Sequence, residues 1–356
     1  MENVFGNRLV SARKMAGMSL QDLADRLKNV VTKQSLNKYE QGKMKPDSSL
    51  LIALSNILNV PVDYFFSSPS VQIKLTDIDY RKFVSKISKT QQDSVEEKAK
   101  EAFERYFELE AILNLDEKPE YFIYNNVIHN ADDAEAAAKE LRNKWKLGYD
   151  PIPDVAEMLE DKGYKVIKII APEGFDGMKA DINGKKVIVV KQNESKDEDV
   201  VRKRFTALHE LAHHALKFSD KLLGKEKENL CHAFACAVLY PEDMARKELH
   251  KDRFHFYQNE LVLIKERWGI SFPAVFNRAK QLGIINDYVY KKFNIGYRTR
   301  KLHLNEPGRF LSREKPVRFE RLIYLGLAKE VISVNDAAFF SGKTVGEFRK
   351  QLHQLV

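Results

Sequence analysis

Cysteine is, with tryptophan, the scarcest residue: the 356-residue chain holds only Cys231 and Cys236. Two thiols five positions apart cannot frame a disulfide-stapled fold, and they suit a reducing, cytoplasmic setting. No apolar run approaches the roughly 18 residues of a membrane span, so no membrane association is expected. The stretch Met1-Glu2-Asn3-Val4-Phe5-Gly6-Asn7-Arg8 lacks the apolar core of a signal peptide. Low-complexity tracts and fixed-period repeats are also missing. What remains is an ordinary globular composition. Hydrophobic residues make up 44%, enough for a sizeable core, and the length allows two or three domains. The charge balance is +8, from 59 basic and 51 acidic residues, which favours an anionic partner without specifying one.

Against that background one run stands out, His209-Glu210-Leu211-Ala212-His213. It lies in a segment, 200–218, whose pattern predicts a helix. Residues four apart on a helix share a face, with Cβ atoms roughly 5–6 Å apart. Two imidazoles so placed can grip one Zn²⁺. Glu210 then lies beside the metal, where a carboxylate can take a proton from an activated water. Catalytic zinc needs a third protein ligand and one open position. The segment 228–241 predicts a second helix that ends at Pro241, and Glu228 begins it, 15 residues after His213. Glu228 is the preferred third ligand. Cys231 and His232 follow on the same face and compete for that place. The two cysteines otherwise read as small buried apolar residues. His214 points about 100° away and reads as a packing or supporting residue. His129, His250, His255, His303 and His353 are scattered.

Residues 1–67 predict five short helical pieces. They are Phe5 to Ala16, stopped by Gly17; Leu20 to Leu27, capped by Ser19; Lys33 to Gln41, capped by Thr32 and closed by Gly42; Ser49 to Leu58, opened by Asp47 or Ser48; and a turn over Val62 to Phe66. Two short helices followed by a polar, basic one form the helix-turn-helix pattern. In the third helix Leu36 and Tyr39 can face the core. Lys33, Gln34, Ser35, Asn37 and Lys38 are left outside, where amide side chains can read adenine edges and lysines can reach guanine or phosphate. Gln21 can anchor a phosphate at the start of the second helix. Arg8, Arg13, Lys43 and Lys45 are expected to flank this face.

The runs Ser19-Leu20-Gln21-Asp22-Leu23-Ala24 and Tyr39-Glu40-Gln41-Gly42-Lys43-Met44-Lys45-Pro46 resemble the phage-repressor (Cro/C1, or XRE) helix-turn-helix family over about 65 residues. The resemblance implies binding of operator DNA in the major groove, as a homodimer on a two-fold symmetric site. Asn37 stands where the family most often has Ser.

Residues 68–130 read as a linker followed by a long helix, Gln91 to Leu115, capped by Thr90. Val95, Ala99, Ala102, Tyr106, Leu109 and Leu113 form a seam of almost three heptads, suited to packing on a neighbour in the same chain or to a dimer contact. Helices are predicted over Ala131 to Trp145 and Pro153 to Lys162, and a strand over Tyr164 to Ile170. Strands over Met178 to Ile182 and Lys186 to Lys191 flank Asn183-Gly184, a hairpin signal. A small sheet followed by the two motif helices is the zincin order, in which an edge strand binds the substrate chain. Leu141-Arg142-Asn143-Lys144-Trp145-Lys146-Leu147-Gly148 with Pro151-Ile152, Arg204-Phe205-Thr206-Ala207-Leu208-His209-Glu210-Leu211-Ala212-His213, and Phe234-Ala235-Cys236-Ala237-Val238-Leu239-Tyr240-Pro241 resemble the ImmA/IrrE metallopeptidases. That resemblance implies a gluzincin-like site and partnership or fusion with a repressor-type helix-turn-helix. Relatives cleave or inactivate repressors. Ala212, Cys231 and His232 depart from the usual Gly, Ala and Asn.

In the last hundred residues, Leu261 to Trp268 and Phe272 to Leu282 read either as a second helix-turn-helix or as a structural pair. Between Lys291 and Arg321 there are ten Lys or Arg and three Glu, with Tyr290, Phe293, Tyr297 and Phe310 interleaved. That stretch reads as a second nucleic-acid surface, an anionic-ligand site or a solvated basic loop. Helices over Glu320 to Glu330 and Val334 to Leu355 close the chain.

The expected architecture is multidomain, mainly α with a small β-sheet: a helix-turn-helix head (1–67), a linker and long helix (68–130), a zincin-like α+β domain (131–250) and a helical C-terminal region (251–356). The expected function is a DNA-binding regulator with a zinc endopeptidase that cleaves a repressor-like protein, a paired toxin or the chain itself. Tyr240 and His232 are candidate oxyanion donors. The alternative is a regulator or antitoxin whose peptidase-like domain is only a sensor or partner-binding platform.

Overall fold

Polar side chains placed ahead of short apolar stripes set the helices of the N-terminal head. The computed structural model describes residues 3–28, 30–67, 71, 73–77, 87–115, 118–192 and 200–352. In the head, α1 (Val4–Met15), α2 (Leu20–Arg26), α3 (Lys33–Glu40) and α4 (Ser48–Leu58) are followed by a 3-10 turn over Val62–Phe66. Asn3, Ser19, Thr32 and Asp47 each accept a backbone N–H from the first helical turn, satisfying donors that have no partner within the helix. Leu9, Ala12, Leu23, Leu36, Leu54 and Phe65 are fully enclosed in one core.

Next come β1 (Leu75–Thr76) and α5 (Lys89–Ile112). Most of the expected linker, 68–87, falls outside the described residues. The cap of α5 is Ser88, not Thr90: Ser88 and Gln91 form a reciprocal capping box two residues earlier. The heptad seam of α5 is covered by its own chain. Val95, Ala99, Tyr106, Leu109 and Leu113 share a core with strand residues Met178, Val187 and Val189 and with Leu322 and Ile323.

Then follow β2 (Val127–Ile128), α6 (Ala131–Lys144), α7 (Val155–Asp161), β3 (Lys165–Ile170), β4 (Gly177–Ile182), β5 (Lys185–Gln192), α8 (Val200–Ala215), β6 (Lys217–Phe218) and α9 (Gly224–Leu239). The main sheet has the order β1-β4-β5-β3, with β3 parallel to β5 and the other pairs antiparallel. Asn183 and Gly184 both have positive φ, as the two-residue turn between twisted strands requires. One face of the sheet packs on α5. The other, through Val166, Ile188 and Val190, joins the core containing Leu208 and Leu211 of α8. Helix α8 stops at Ala215 rather than running to Phe218, because Lys217 and Phe218 pair with Val127 and Ile128. Helix α9 starts four residues before Glu228, which sets Glu228 one turn inside it.

The chain ends with α10 (Glu242–Leu249), α11 (Gln258–Trp268), α12 (Phe272–Gln281), α13 (Asp287–Thr299), α14 (Arg318–Ala328), α15 (Val334–Ser341) and α16 (Val345–Gln351). Helices α10 and α13 are absent from the sequence reading. The expected helix from Val334 to Leu355 is two helices, broken where Gly342 caps α15 in the left-handed conformation. Leu355 and His353 lie outside the described residues. Helices α11 and α12 are a structural pair. Arg278 of α12 is fully buried, donates to the Tyr240 carbonyl at 2.9 Å and pairs with Glu135 of α6. No helix among the described residues is long and apolar enough to cross a membrane.

Candidate metal centre and DNA-reading helix

The metal-ligand candidates arise from α8 and α9 packed side by side. Leu208, Leu211 and Ala212 of α8 are buried, as are Leu230, Phe234 and Ala235 of α9. That packing turns His209 and His213 toward Glu228. His213 Nε2 lies 3.2 Å from His209 Nε2, and the Glu228 carboxylate lies 3.2 Å from His209 Nε2 and 3.3 Å from His213 Nε2. Tetrahedral zinc with ligand bonds of 2.0–2.1 Å requires ligand atoms about 3.3 Å apart. The two imidazole nitrogens match that spacing, and the Glu228 carboxylate meets them with a different oxygen each, Oε2 toward His209 and Oε1 toward His213, so the three side chains converge on one position. They are also the group of His, Cys, Asp and Glu side chains among the described residues that could hold a metal ion.

The electrostatics agree with that fit. Burial works against a charged His213, but contacts with Cys231 and Glu228 outweigh it and raise the ring to about 11. Burial likewise raises the Glu228 carboxyl, yet hydrogen bonds from His209 and His213 hold it well below the usual carboxylate range. A site that favours a negative carboxylate and a positive charge beside it is one a cation can satisfy.

The competing ligands sit around this triad, not within it. Cys231 Sγ lies 3.8 Å from His213 Nδ1, the nitrogen facing away from Glu228, so it supports that ring. The His232 ring centre is 4.7 Å from that of His209 and 5.5 Å from that of Phe205, flanking the site. Both cysteines are buried and free, as expected. His214 turns away to the Val187 carbonyl at 3.0 Å, and burial pushes its pKa down to about 3. Glu210 is buried on α8. A Cβ added at Gly177 of β4 would lie 2.5 Å from Thr206 Cγ2 and 3.3 Å from Glu210 Cγ, so only glycine lets the strand approach the helix this closely. Tyr240 is not beside the metal ligands. Its hydroxyl donates to Glu248 at 3.0 Å, and its ring packs on Trp268.

Sequence reasoning passed over Arg204 as an individual residue. It is fully buried one turn before the motif, donates to the Ile152 carbonyl at 2.7 Å and pairs with Glu314 at 3.2 Å. Glu314 in turn accepts from the Val155 and Ala156 N–H groups at the start of α7. The available signal was an arginine at helical spacing from the core residues Leu208 and Leu211.

In the head, Gln21, Lys33, Gln34, Asn37 and Lys38 are exposed, and Ser35 is half-buried with its hydroxyl 3.1 Å from that of Thr32. The Gln21 amide donates to Asp25 at 2.9 Å. Lys43 and Lys45 are exposed, but the flanking role of two arginines is corrected. Arg8 is buried against Glu101 at 2.9 Å and Glu104 at 3.2 Å of α5, and Arg13 is held by Glu40 at 2.6 Å. Neither is free to reach phosphate.

Comparison with known proteins matches two separate parts of the chain. A helix-turn-helix family model covers residues 9–65, and the IrrE N-terminal-like domain covers residues 160–280. A prophage-derived uncharacterised helix-turn-helix transcriptional regulator, YonR of Bacillus subtilis, is 41% identical over 75 residues, 21% of this chain and 68% of its own length. The chain belongs to the helix-turn-helix transcriptional regulators. It joins that head to an IrrE/ImmA-type peptidase-like domain. The regulator ImmR of Bacillus subtilis is 35% identical over 69 residues, 19% of this chain and 53% of its own length. A regulator of Sinorhizobium medicae is 43% identical over 61 residues, 17% of this chain and 42% of its own length. The chain thus spans about half the length of the latter two.

Proposed function

We propose that this regulator is a zinc endopeptidase acting on a repressor-like or partner protein, with the head directing it to operator DNA. The observation that carries the reading is the convergence of His209 Nε2, His213 Nε2 and the Glu228 carboxylate, whose Oε2 lies 3.2 Å from the first ring and Oε1 3.3 Å from the second. A zinc ion held there supplies a Lewis acid that polarises a carbonyl and makes water acidic near neutral pH. Glu210 receives the proton of the attacking water and delivers it to the leaving amine, a role worth roughly 10²–10⁴ in rate. His232 flanks His209 and is the remaining candidate to steady the developing oxyanion. Strand β4 is paired by β1 at Asp181 and Ile182, and its Gly177-to-Ala180 stretch, where Gly177 abuts Glu210, is the edge along which a substrate chain aligns.

On the DNA side, the exposed Lys33, Gln34, Asn37 and Lys38 of α3 read base edges, Ser35 supports the helix start, and Gln21 steadies a phosphate after releasing Asp25. A homodimer on a two-fold operator follows from the head's family.

The deciding experiment uses Glu210→Gln, which keeps the shape of the side chain and removes its basicity. Zinc content and operator binding should stay at parental levels while cleavage of co-expressed candidate repressors is lost. Cleavage and cellular response both unchanged in Glu210→Gln would leave the second reading, a regulator or antitoxin whose peptidase-like domain is a binding platform. That second reading is favoured by one fact: the matching relatives are named as transcriptional regulators.

A further inference from the structure

We propose that the cleft between α8 and residues 303–313 is a substrate subsite that selects a large apolar side chain followed by acidic residues. The proposal rests on the peptidase reading and names the substrate class for that site.

The cleft, about 950 Å³, lies along the stripe of α8 that presents His209. Val201, Phe205 and His209 are spaced four apart and share that stripe. Val201 and Phe205 line the cleft, and the Phe205 ring centre is 6.5 Å from that of His209. A chain crossing the metal ligands would therefore place a neighbouring side chain over Phe205. Leu239, Ile270, Pro273 and Phe310 continue the apolar lining. The volume is at the upper end of the roughly 300–1,000 Å³ typical of ligand pockets, and an open apolar trough suits a peptide side chain. The opposite wall is fastened by buried contacts. The Arg204 guanidinium lies 4.2 Å from the centre of the Phe310 ring and pairs with Glu314.

The charge of the rim is positive. Glu306 is the carboxylate in the lining, and it is already engaged by Lys265 at 3.0 Å, the Tyr297 hydroxyl at 2.8 Å and the Phe272 N–H at 3.1 Å. Arg202 pairs with Asp176 at 2.7 Å. Arg309 and Arg313 are exposed at the rim and form no ion pair among the described residues. They leave two positive charges facing whatever enters.

The basic, aromatic composition of this stretch could also suit nucleic acid, but its rings are not presented for base stacking. Phe293 stacks on Phe276 with ring centres 3.6 Å apart, Tyr297 bonds Glu306, and the Tyr290 hydroxyl bonds Asn277 at 2.5 Å. With the aromatics used inside the fold, the arginine rim over an apolar trough fits an acidic peptide.

The test uses the full chain carrying Glu210→Gln and loaded with zinc, so that bound peptide is not consumed. Two fluorescein-labelled octapeptides are compared by anisotropy: one with a leucine followed by two glutamates, the other identical but with two lysines. The acidic peptide should bind about fivefold more tightly, as two exposed charge contacts allow. Arg309→Glu with Arg313→Glu should reverse the order without moving the melting temperature, since both side chains are exposed. Equal affinities, no binding of either peptide, or a charge reversal without effect would each overturn the proposal. So would a random-sequence DNA duplex that displaces the acidic peptide and loses affinity with the same double substitution, which would assign the surface to nucleic acid. The peptidase reading fails separately, if the parental chain cleaves no candidate protein while the peptide preference persists.

Discussion

Cys231 Sγ sits 3.8 Å from His213 Nδ1, on the opposite side of the ring from Glu228. The thiol thus holds the orientation of an imidazole whose other nitrogen faces the metal position. Groups that orient a ligating histidine typically matter 10–100-fold in metal affinity. Cys231→Ala should weaken zinc binding by about tenfold, measured by competition with a chromogenic chelator. Unchanged affinity would show that helix packing alone sets the ring.

Glu228 is expected to be the third ligand. Glu228→Ala or His213→Ala should leave far less than one equivalent of zinc in the purified chain, by elemental analysis, and lower its melting temperature, because metal binding adds to folding free energy. Full occupancy in Glu228→Ala would hand the third position to His232 or Cys231.

For DNA, Gln34 and Asn37 are exposed on α3. Replacing both by Ala should abolish specific operator binding in a mobility-shift titration. Weak, salt-sensitive binding should persist through Lys33, Lys38, Lys43 and Lys45, because phosphate contacts carry the sequence-independent part. Native affinity in the double variant would refute the groove assignment.

Arg8 belongs to stability rather than DNA contact. Its removal leaves Glu101 and Glu104 buried without their cation. Breaking a buried pair of this kind costs about 3–5 kcal/mol. Arg8→Ala should melt the head well below the parental temperature, and a melting curve matching the parent would sink this account.

Glu160 gives a pH signature. Burial raises it to about 7, against the hydrogen bonds it accepts from the Val317 and Arg318 N–H groups. The folded chain holds this proton up to near pH 7, whereas the unfolded chain releases it near its ordinary value of 4.5. Its contribution is therefore complete below pH 4.5 and is lost as pH rises through 7, up to about 3 kcal/mol. Glu160→Gln should stabilise the chain more at pH 7.5 than at pH 5 in urea titrations. An equal effect at both pH values would contradict the sign.

The parts of the fold that were readable in advance are those written in local patterns. Ser19, Thr32 and the Asn183-Gly184 turn announce their elements because each satisfies a backbone requirement with its own side chain or conformation. The meeting of His209, His213 and Glu228 was also legible, since helical spacing puts the first two together and leaves few acids nearby. What escaped depended on distant partners. Arg8 looks like a surface cation until α5, more than 90 positions away, supplies its carboxylates. Helix α13 was hidden because its charged residues mask the stripe of Val289, Phe293 and Tyr297 that packs inward. The two-residue strands β2 and β6 carry too little periodicity to be seen at all.

The docking of α1 on α5 changes what a cut in the chain can achieve. Besides the Arg8 pairs, Ser11 Oγ donates to Glu97 at 2.5 Å and Ser94 Oγ donates to the Met15 carbonyl at 2.8 Å. At the other end of α5, Glu110 pairs with Lys165 at 2.6 Å and Arg318 at 2.7 Å. The head is therefore clamped to the body by a second attachment that does not run through the peptide backbone. Severing the chain between Ser67 and Ile87 would leave a nicked but assembled molecule, with its DNA-reading surface held where it was. Freeing the head takes the loss of Arg8's carboxylate partners as well as the loss of a bond.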